Sequence, residues 1–289
     1  MIISQLMGGL GNQMFQCAAG RALALHLNTP LKLDDSFLKQ NTNGVYTQRH
    51  FDLQGFEMVS DLIETSELQA FFDKYDSKFT RFINRNFKFK THILNENGHQ
   101  YQNDFYNVSK NTLIKGFWQS EKYFVKFEEQ IRKDFVIKAE LLSGTEEWMS
   151  KIIKSNSVSI HVRRGDYVTN FNSNNFHGIC SLDYYEKAVH LISSSNLNVE
   201  LFVFSDDIEW CKLNMKFKQP TFFIETNSSY QDLFLMQNCK HNVIANSSFS
   251  WWGAWLNKNS KKIVVAPKNW FKNTSVNISD VIPADWIKI

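Results

Sequence analysis

Residues 157–167 read Ser-Val-Ser-Ile-His-Val-Arg-Arg-Gly-Asp-Tyr, and the second half gathers His161, Arg163, Arg164 and Asp166. The first half alternates small polar with β-branched residues, the pattern of a buried strand. The charged residues therefore fall where that strand runs out. In an open α/β sheet, ligands bind in the crevice outside the carboxyl ends of the strands. An arginine there offers a planar fork that fits phosphate oxygens and stays charged at any working pH. The competing reading makes one or both arginines salt bridges between elements, because ion-pair networks imitate sites.

Two other strand ends carry compatible groups. Leu201-Phe202-Val203-Phe204 is followed by Ser205-Asp206-Asp207, and Val243-Ile244-Ala245 by Asn246-Ser247-Ser248-Phe249-Ser250-Trp251-Trp252. Hydroxyl side chains and unpaired N–H groups at a helix N-terminus make an anion site, although plain N-capping would account for one of the serines. Asp206 can accept from the amino and imino hydrogens of a guanine edge. Its alternatives are helix capping, or metal binding together with Asp207. The three strand ends describe a nucleotide-diphosphate site. Departure of a sugar from such a donor builds charge on the β-phosphate, where a fixed donor is worth ~3 kcal/mol. Glycosyl transfer is the economical reaction.

The elements that would hold these groups alternate regularly after residue 150. Strands are expected over Ser157–Val162, Glu200–Phe204, Thr221–Ile224, His241–Ala245 and Lys262–Ala266. Helices fall between them over Ser181–Ser193, capped by Ser181, Asp207–Met215, Ser229–Gln237 and Ser250–Leu256. Glu140–Ser155 closes the preceding half. The first half opens with a strand (Ile2–Leu6), a glycine loop (Gly8–Gln13), a helix (Met14–Leu27) and a strand (Pro30–Leu33), a βαβ start. Further on, helices are expected around Ile63–Phe72 and Tyr123–Asp134 and a strand over Thr112–Phe117. Phe79–Lys90 interleaves aromatics with bases, as a half-buried helix with a solvated face would, the alternatives being a membrane-surface or a ligand-facing helix. The fold class is α/β, with two domains, 1–150 and 151–289, paired around a cleft.

The glycine loop invites a dinucleotide reading. Gly9-Leu10-Gly11 supplies two glycines, and Asp34 stands where a ribose-binding acid would. The third glycine position is Met14, whose side chain would push helix from strand, so nicotinamide binding is disfavoured.

Composition narrows the classes further. The chain has 289 residues, 43% of them hydrophobic, and 32 basic against 29 acidic residues. That balance argues against a nucleic-acid binder, which needs a concentrated basic face. No apolar run reaches membrane-spanning length and the start lacks the pattern of a signal peptide, so a cytoplasmic protein with at most peripheral membrane contact is expected. Cys17, Cys180, Cys211 and Cys239 show no metal-ligand spacing and read as reduced, mostly buried thiols.

Several motifs together resemble glycosyltransferase family 11, the bacterial and animal α-1,2-fucosyltransferases. They are Gly8-Gly-Leu-Gly-Asn-Gln-Met-Phe-Gln16, His161-Val-Arg-Arg-Gly-Asp-Tyr167, His177-Gly-Ile-Cys-Ser-Leu-Asp-Tyr-Tyr185, Phe204-Ser-Asp-Asp207 and Ser247-Ser-Phe-Ser-Trp-Trp-Gly-Ala-Trp255. The resemblance implies a GT-B-like pair of Rossmann-like domains, GDP-fucose as donor, a galactose-terminated acceptor that a lipid can carry, inversion at the anomeric carbon, and no metal or other cofactor. It would place Arg163 on the β-phosphate with Arg164 in support. His161 and Asp206, with neighbouring Ser205, would address the guanosine, and Ser247, Ser248 and Phe249, next to Asn246, the diphosphate. Asn12 would face the reacting sugar. The general base does not carry over: α-1,6 relatives have a glutamate seven positions beyond the arginine pair, and Phe171 stands there instead. His177 is a base or acceptor candidate, and Asp166 reads better as a residue that orients the arginines.

Overall fold

The computed structural model describes residues 1–40, 49–58, 60–76, 92–165, 178–195, 197–273 and 275–289. The chain divides into two compact units: Met1–Val136 with Asn277–Val281, and Ile137–Val276 with Ile282–Ile289. The division falls earlier than residue 150, because the helix Glu146–Lys154 packs against the first strand of the second unit.

The first unit is built on a parallel sheet of β1 (Ile2–Gln5), β2 (Leu31–Asp34), β3 (Asp61–Leu62), β4 (Ile93–Asn95) and β5 (Thr112–Lys115), in the order β3-β2-β1-β5-β4. Helix α1 (Leu10–His26) follows the glycine loop and begins at Leu10, so Asn12 and Gln13 lie in its first turn rather than in the loop. The close approach of α1 to the sheet is made at Gly20, where a Cβ would stand 2.9 Å from both Leu31 Cδ1 and Ser4 Cβ. Helix α2 (Thr65–Tyr75) packs its buried Phe71 with Ile3, Ile63 and Leu113. The helix expected over Tyr123–Asp134 is α-helical only as α3 (Glu128–Asp134), preceded by 3-10 turns at Glu121–Tyr123 and Val125–Phe127. The returning segment Asn277–Val281 anchors in this unit through Asp280, which accepts from the Tyr101 N–H and from Lys122 Nζ.

The second unit holds α4 (Glu146–Lys154) and a parallel sheet of β6 (Asn156–Val162), β7 (Val199–Ser205), β8 (Thr221–Phe223), β9 (His241–Val243), β10 (Val264–Ala266) and β11 (Ile287–Lys288), in the order β11-β10-β9-β6-β7-β8. Counted from β6, this is the order 3-2-1-4-5-6 of doubly wound nucleotide-binding sheets, with its switch point between β6 and β9. Helices α5 (Leu182–Ser195), α6 (Ile208–Asn214), α7 (Ser229–Asn238) and α8 (Ser248–Leu256) connect the strands. Strand β6 is buried on both faces. Val158, Ile160 and Val162 meet Tyr184, Ala188 and Ile192 of α5 in one core cluster, while Ser159 accepts from buried Asn242. Ser181 Oγ accepts from the Tyr184 N–H and caps α5 as expected. Strands β3, β4 and β11 were not expected. Each is two or three residues long, too short for alternation to register.

Both expected Rossmann-like α/β units are present. Among the described residues no helix is long and apolar enough to cross a membrane. The stretch Phe79–Lys90 lies outside them, with residue 91 the last of that gap.

Candidate functional site

The carboxyl ends of β7, β6 and β9 are adjacent in the sheet, so the three sequence clusters come together at the switch point. Strand period places His161 on the same face of β6 as Ser157 and Ser159, and its ring packs 5.6 Å from that of Phe249 at the start of α8. His161 is 5% exposed, and its Nδ1 is a buried atom with no hydrogen-bond partner. Burial pushes the imidazole down to about 4, opposed by nearby Asp206 and assisted by Arg163, so the ring is neutral near pH 7.

Both arginines are held by the aspartates after β7. Arg163 Nη1 lies 2.9 Å from Asp206 Oδ2, and Arg164 Nε 3.1 Å from Asp207 Oδ2. Asp206 Oδ1 also accepts from the Arg164 backbone N–H at 2.8 Å. The guanidinium of Arg164 stacks over the Trp210 ring at 3.7 Å, which fixes its plane. Gly165 is the residue that admits this arrangement, since a Cβ there would stand 2.5 Å from Asp206 Oδ2. The salt-bridge reading of the arginines is thus realised inside the cluster itself. Asp207 performs the capping considered for its neighbour: its Oδ1 accepts from the Trp210 N–H, and its own N–H donates to Ser205 Oγ.

At the third strand end, Ser247 is the N-cap residue of α8 and makes no side-chain capping bond. Ser247 is buried, while Ser248 and Phe249 are half-buried. Ser250 turns inward, its Oγ donating to the Ser247 carbonyl at 3.2 Å. The side chain of Asn246 is engaged with neighbouring segments. Its Nδ2 donates to the carbonyls of Gly178 and Trp270, and its Oδ1 accepts from Cys180 Sγ. Those bonds fasten the 178–180 stretch and Trp270 to the strand end. Helix α8 is apolar nearly all round, with Trp251, Trp252 and Trp255 buried, so its N-terminus is set by packing on both sides. Asp166 and His177 lie outside the described residues. Among the described residues no three or more His, Cys, Asp or Glu are grouped to hold a metal ion.

The glycine loop of the first unit follows β1, and β1 and β5 flank that sheet's own switch point. Gln13 Nε2 donates to the carbonyls of Gly8 and His50, and Gln16 brackets Met7 through both its N–H and its carbonyl. Asn12 Oδ1 accepts from Gln119 Nε2 at 2.8 Å. Met14, at the third position of the dinucleotide pattern, is fully buried. Asp34 is taken by the Ser36 N–H and Gln5 Nε2. Neither residue is arranged as a nicotinamide nucleotide would need.

Trp210, Gly165 and Gln119 are not among the residues that the sequence marks for a role at the site. The glycine directly after Arg-Arg was the available signal for the second. For the other two, contact across sheet neighbours decides, and sequence separation conceals it.

Residues 2–289 match the family described as glycosyl transferase family 11. The chain is 36% identical to an alpha-1,2-colitosyltransferase of Escherichia coli, over 100% of this chain and 99% of that one. It is 34% identical to the O-antigen biosynthesis glycosyltransferase WbnK of Escherichia coli, over 99% of each. A galactoside alpha-(1,2)-fucosyltransferase 1 of Rattus norvegicus is 26% identical over 55% of this chain and 46% of its own length. Among solved structures, NodZ fucosyltransferase from Bradyrhizobium is similar with a TM-score of 0.47 at 14% identity, over 87% of this chain and 91% of that one. The match over the whole chain, with two relatives above 30% identity end to end, establishes that this protein belongs to glycosyl transferase family 11 and is a glycosyltransferase.

Proposed function

We propose that the chain moves L-fucose from GDP-fucose to O2 of a terminal galactose, with inversion and without a metal, in the assembly of a surface glycan such as O-antigen. The observation that carries the donor half is the cluster at three adjacent strand ends: Arg163 and Arg164 oriented by Asp206 and Asp207, beside the N-terminus of α8. In this reading the bond from the sugar's anomeric carbon to the β-phosphate oxygen breaks as acceptor O2 attacks from the opposite face. Arg163 and the first N–H groups of α8, with Ser247 and Ser248, take up the charge growing on the diphosphate. His161 and Asp206 meet the guanosine. The Asp206 oxygens already serve Arg163 and Arg164, so a guanine contact uses the carboxylate's remaining lone pairs. Asn12 faces the reacting sugar. The proton leaving O2 has His177 as its candidate acceptor. The acceptor glycan is lipid-linked at the inner face of the membrane, with only peripheral contact.

A second donor is favoured by one observation, the likeness to a colitosyltransferase along the whole chain. Colitose is fucose without its 3-hydroxyl, so the same phosphate and base contacts would serve both sugars.

Purified protein incubated with EDTA, a β-galactoside and either GDP-fucose or GDP-colitose tests both readings. A product linked α-1,2 from GDP-fucose supports the first, and preference for GDP-colitose replaces it with the second. A product linked elsewhere than O2 changes the acceptor assignment. A melting temperature raised by GDP with no turnover of either donor leaves a binding module and removes both.

A further inference from the structure

We propose that Gln119 is a positioning residue that sets which end of the Asn12 amide meets the reacting sugar. The inference rests on the reading of Asn12 given above. An asparagine amide donates from one end and accepts from the other, so its usefulness depends on which end is free. Here Gln119 Nε2 donates to Asn12 Oδ1 at 2.8 Å, which occupies the accepting end. Asn12 Nδ2 lies against Gly8, where a Cβ would come within 2.5 Å of it, and Gly8 itself has φ 77°. That glycine thus serves both the left-handed turn and the clearance of the amide. Asn12 and Gln119 are both half-buried, and in this reading the Nδ2 end is the one left to donate to a sugar hydroxyl or a leaving oxygen.

The turn carrying Gln119 is held far more tightly than a loop after a strand requires. Both oxygens of Glu96, the residue after β4, accept backbone N–H groups, Phe117 at 2.6 Å and Trp118 at 3.0 Å. Burial pushes the Glu96 carboxyl up, and those two N–H groups pull it back. Gly116 has φ 157°, and a Cβ there would stand 2.3 Å from Glu96 Cβ, so the strand leaves the sheet against the carboxylate's own stem. Trp118 sits at φ 53°, a conformation rare for a large side chain, and is fully buried between Phe105 and Tyr123 at ring distances of 5.2 and 5.1 Å. Such backbone strain persists where its surroundings over-determine it, and it gathers at sites that need fixed geometry. Glu96 clamps the turn, Trp118 anchors it, and Gln119 emerges next to Asn12 at the switch point of the first sheet.

Two variants and two readouts test this. In Gln119→Leu the amide loses its partner, and kcat is expected to fall roughly tenfold to a hundredfold, the scale of a small misplacement, with donor KM within about twofold of wild type. In Gln119→Glu the side chain keeps its shape, but the carboxylate cannot donate, so Asn12 turns its other end outward. Its kcat is expected to be low at pH 7.5 and to recover relative to wild type as pH falls towards the carboxyl range. Independently of turnover, the Asn12 side-chain amide signals in a 15N–1H spectrum, identified by their loss in Asn12→Ala, are expected to move in both variants. Wild-type kcat in Gln119→Glu at pH 7.5, or unmoved Asn12 amide signals, overturns the proposal. If wild type transfers no sugar from either GDP donor, the proposed function fails instead, and the amide signals alone decide the positioning.

Discussion

Arg163 Nη1 lies 2.9 Å from one oxygen of Asp206, and the other oxygen of that carboxylate accepts the backbone N–H of Arg164 at 2.8 Å. One acid, reached across the neighbouring strand, therefore fixes both the guanidinium of the first arginine and the chain direction at the second. This is the task the sequence reading gave to Asp166. A pre-oriented fork costs little reorganisation when charge develops in front of it, which is where electrostatic catalysis is most effective.

Replacing Arg163 by lysine keeps the charge and removes the planar fork. In the proposed reaction kcat is expected to fall roughly 10²–10³-fold, the range for losing one fixed donor at a developing anion. Initial rates with GDP-fucose measure it. Turnover within twofold of wild type would return Arg163 to a purely structural ion pair.

Gly165→Ala tests the aspartate without touching either charge. The new Cβ would stand 2.5 Å from Asp206 Oδ2, so the carboxylate must move off the arginines. GDP binding measured by calorimetry is expected to weaken about tenfold, and further in Asp206→Asn, which also loses the carboxylate's contact with the guanine. If Gly165→Ala binds GDP normally while Asp206→Asn does not, the acid acts through its guanine contact alone and its hold on the arginines is dispensable.

His161 gives a pH signature of known sign. Its folded-state value, about 4, lies below the ordinary 6.5, so the stability it contributes is complete above pH 6.5 and is lost as pH falls towards 4. Asp232, pushed up to about 6 by burial, acts in the opposite sense between its ordinary value and that pH. The useful quantity is therefore a difference. Urea midpoints of His161→Phe minus those of wild type are expected to rise as pH is lowered from 6.5 to 4, and a flat difference would show that His161 is protonated without penalty.

The contact at Gly20 predicts a stability change remote from the second unit's cluster. Alanine gains about 1 kcal/mol of helix propensity but must fit a Cβ at 2.9 Å from Leu31 Cδ1 and Ser4 Cβ. Overpacking of that kind costs ~1–3 kcal/mol, so Gly20→Ala is expected to lower the unfolding free energy by about 1 kcal/mol in urea titration. A stabilised variant would mean that α1 can lift from the sheet freely.

How much of this was legible follows from the physics of each signal. The βα alternation of the second half was readable because β6 and β7 run seven residues each, long enough for burial and period to show. Arg163, Asp206 and Ser247 were found together because parallel strands put their carboxyl ends on one edge. Helix α1 starts four residues before the expected Met14: glycines argue for loop, yet Gly11 lies inside the first turn, where packing overrides propensity. Asn246 is expected among the donor-binding residues because it stands at a strand end beside the serine cluster. Its engagement by Gly178, Cys180 and Trp270 depends on contacts at long sequence distance. Gln119 escaped notice for the same reason, being 107 residues from its partner.

The return of residues 277–281 to the first unit, before β11 closes the edge of the second, leaves neither half as an uninterrupted piece of chain. A proteolytic nick ahead of Asn277 would withdraw Asp280 from Tyr101 and Lys122 and loosen the strand paired with β10 in one event. A fragment ending at residue 136 therefore lacks the segment whose Asp280 braces Tyr101 and Lys122, and is not a finished domain.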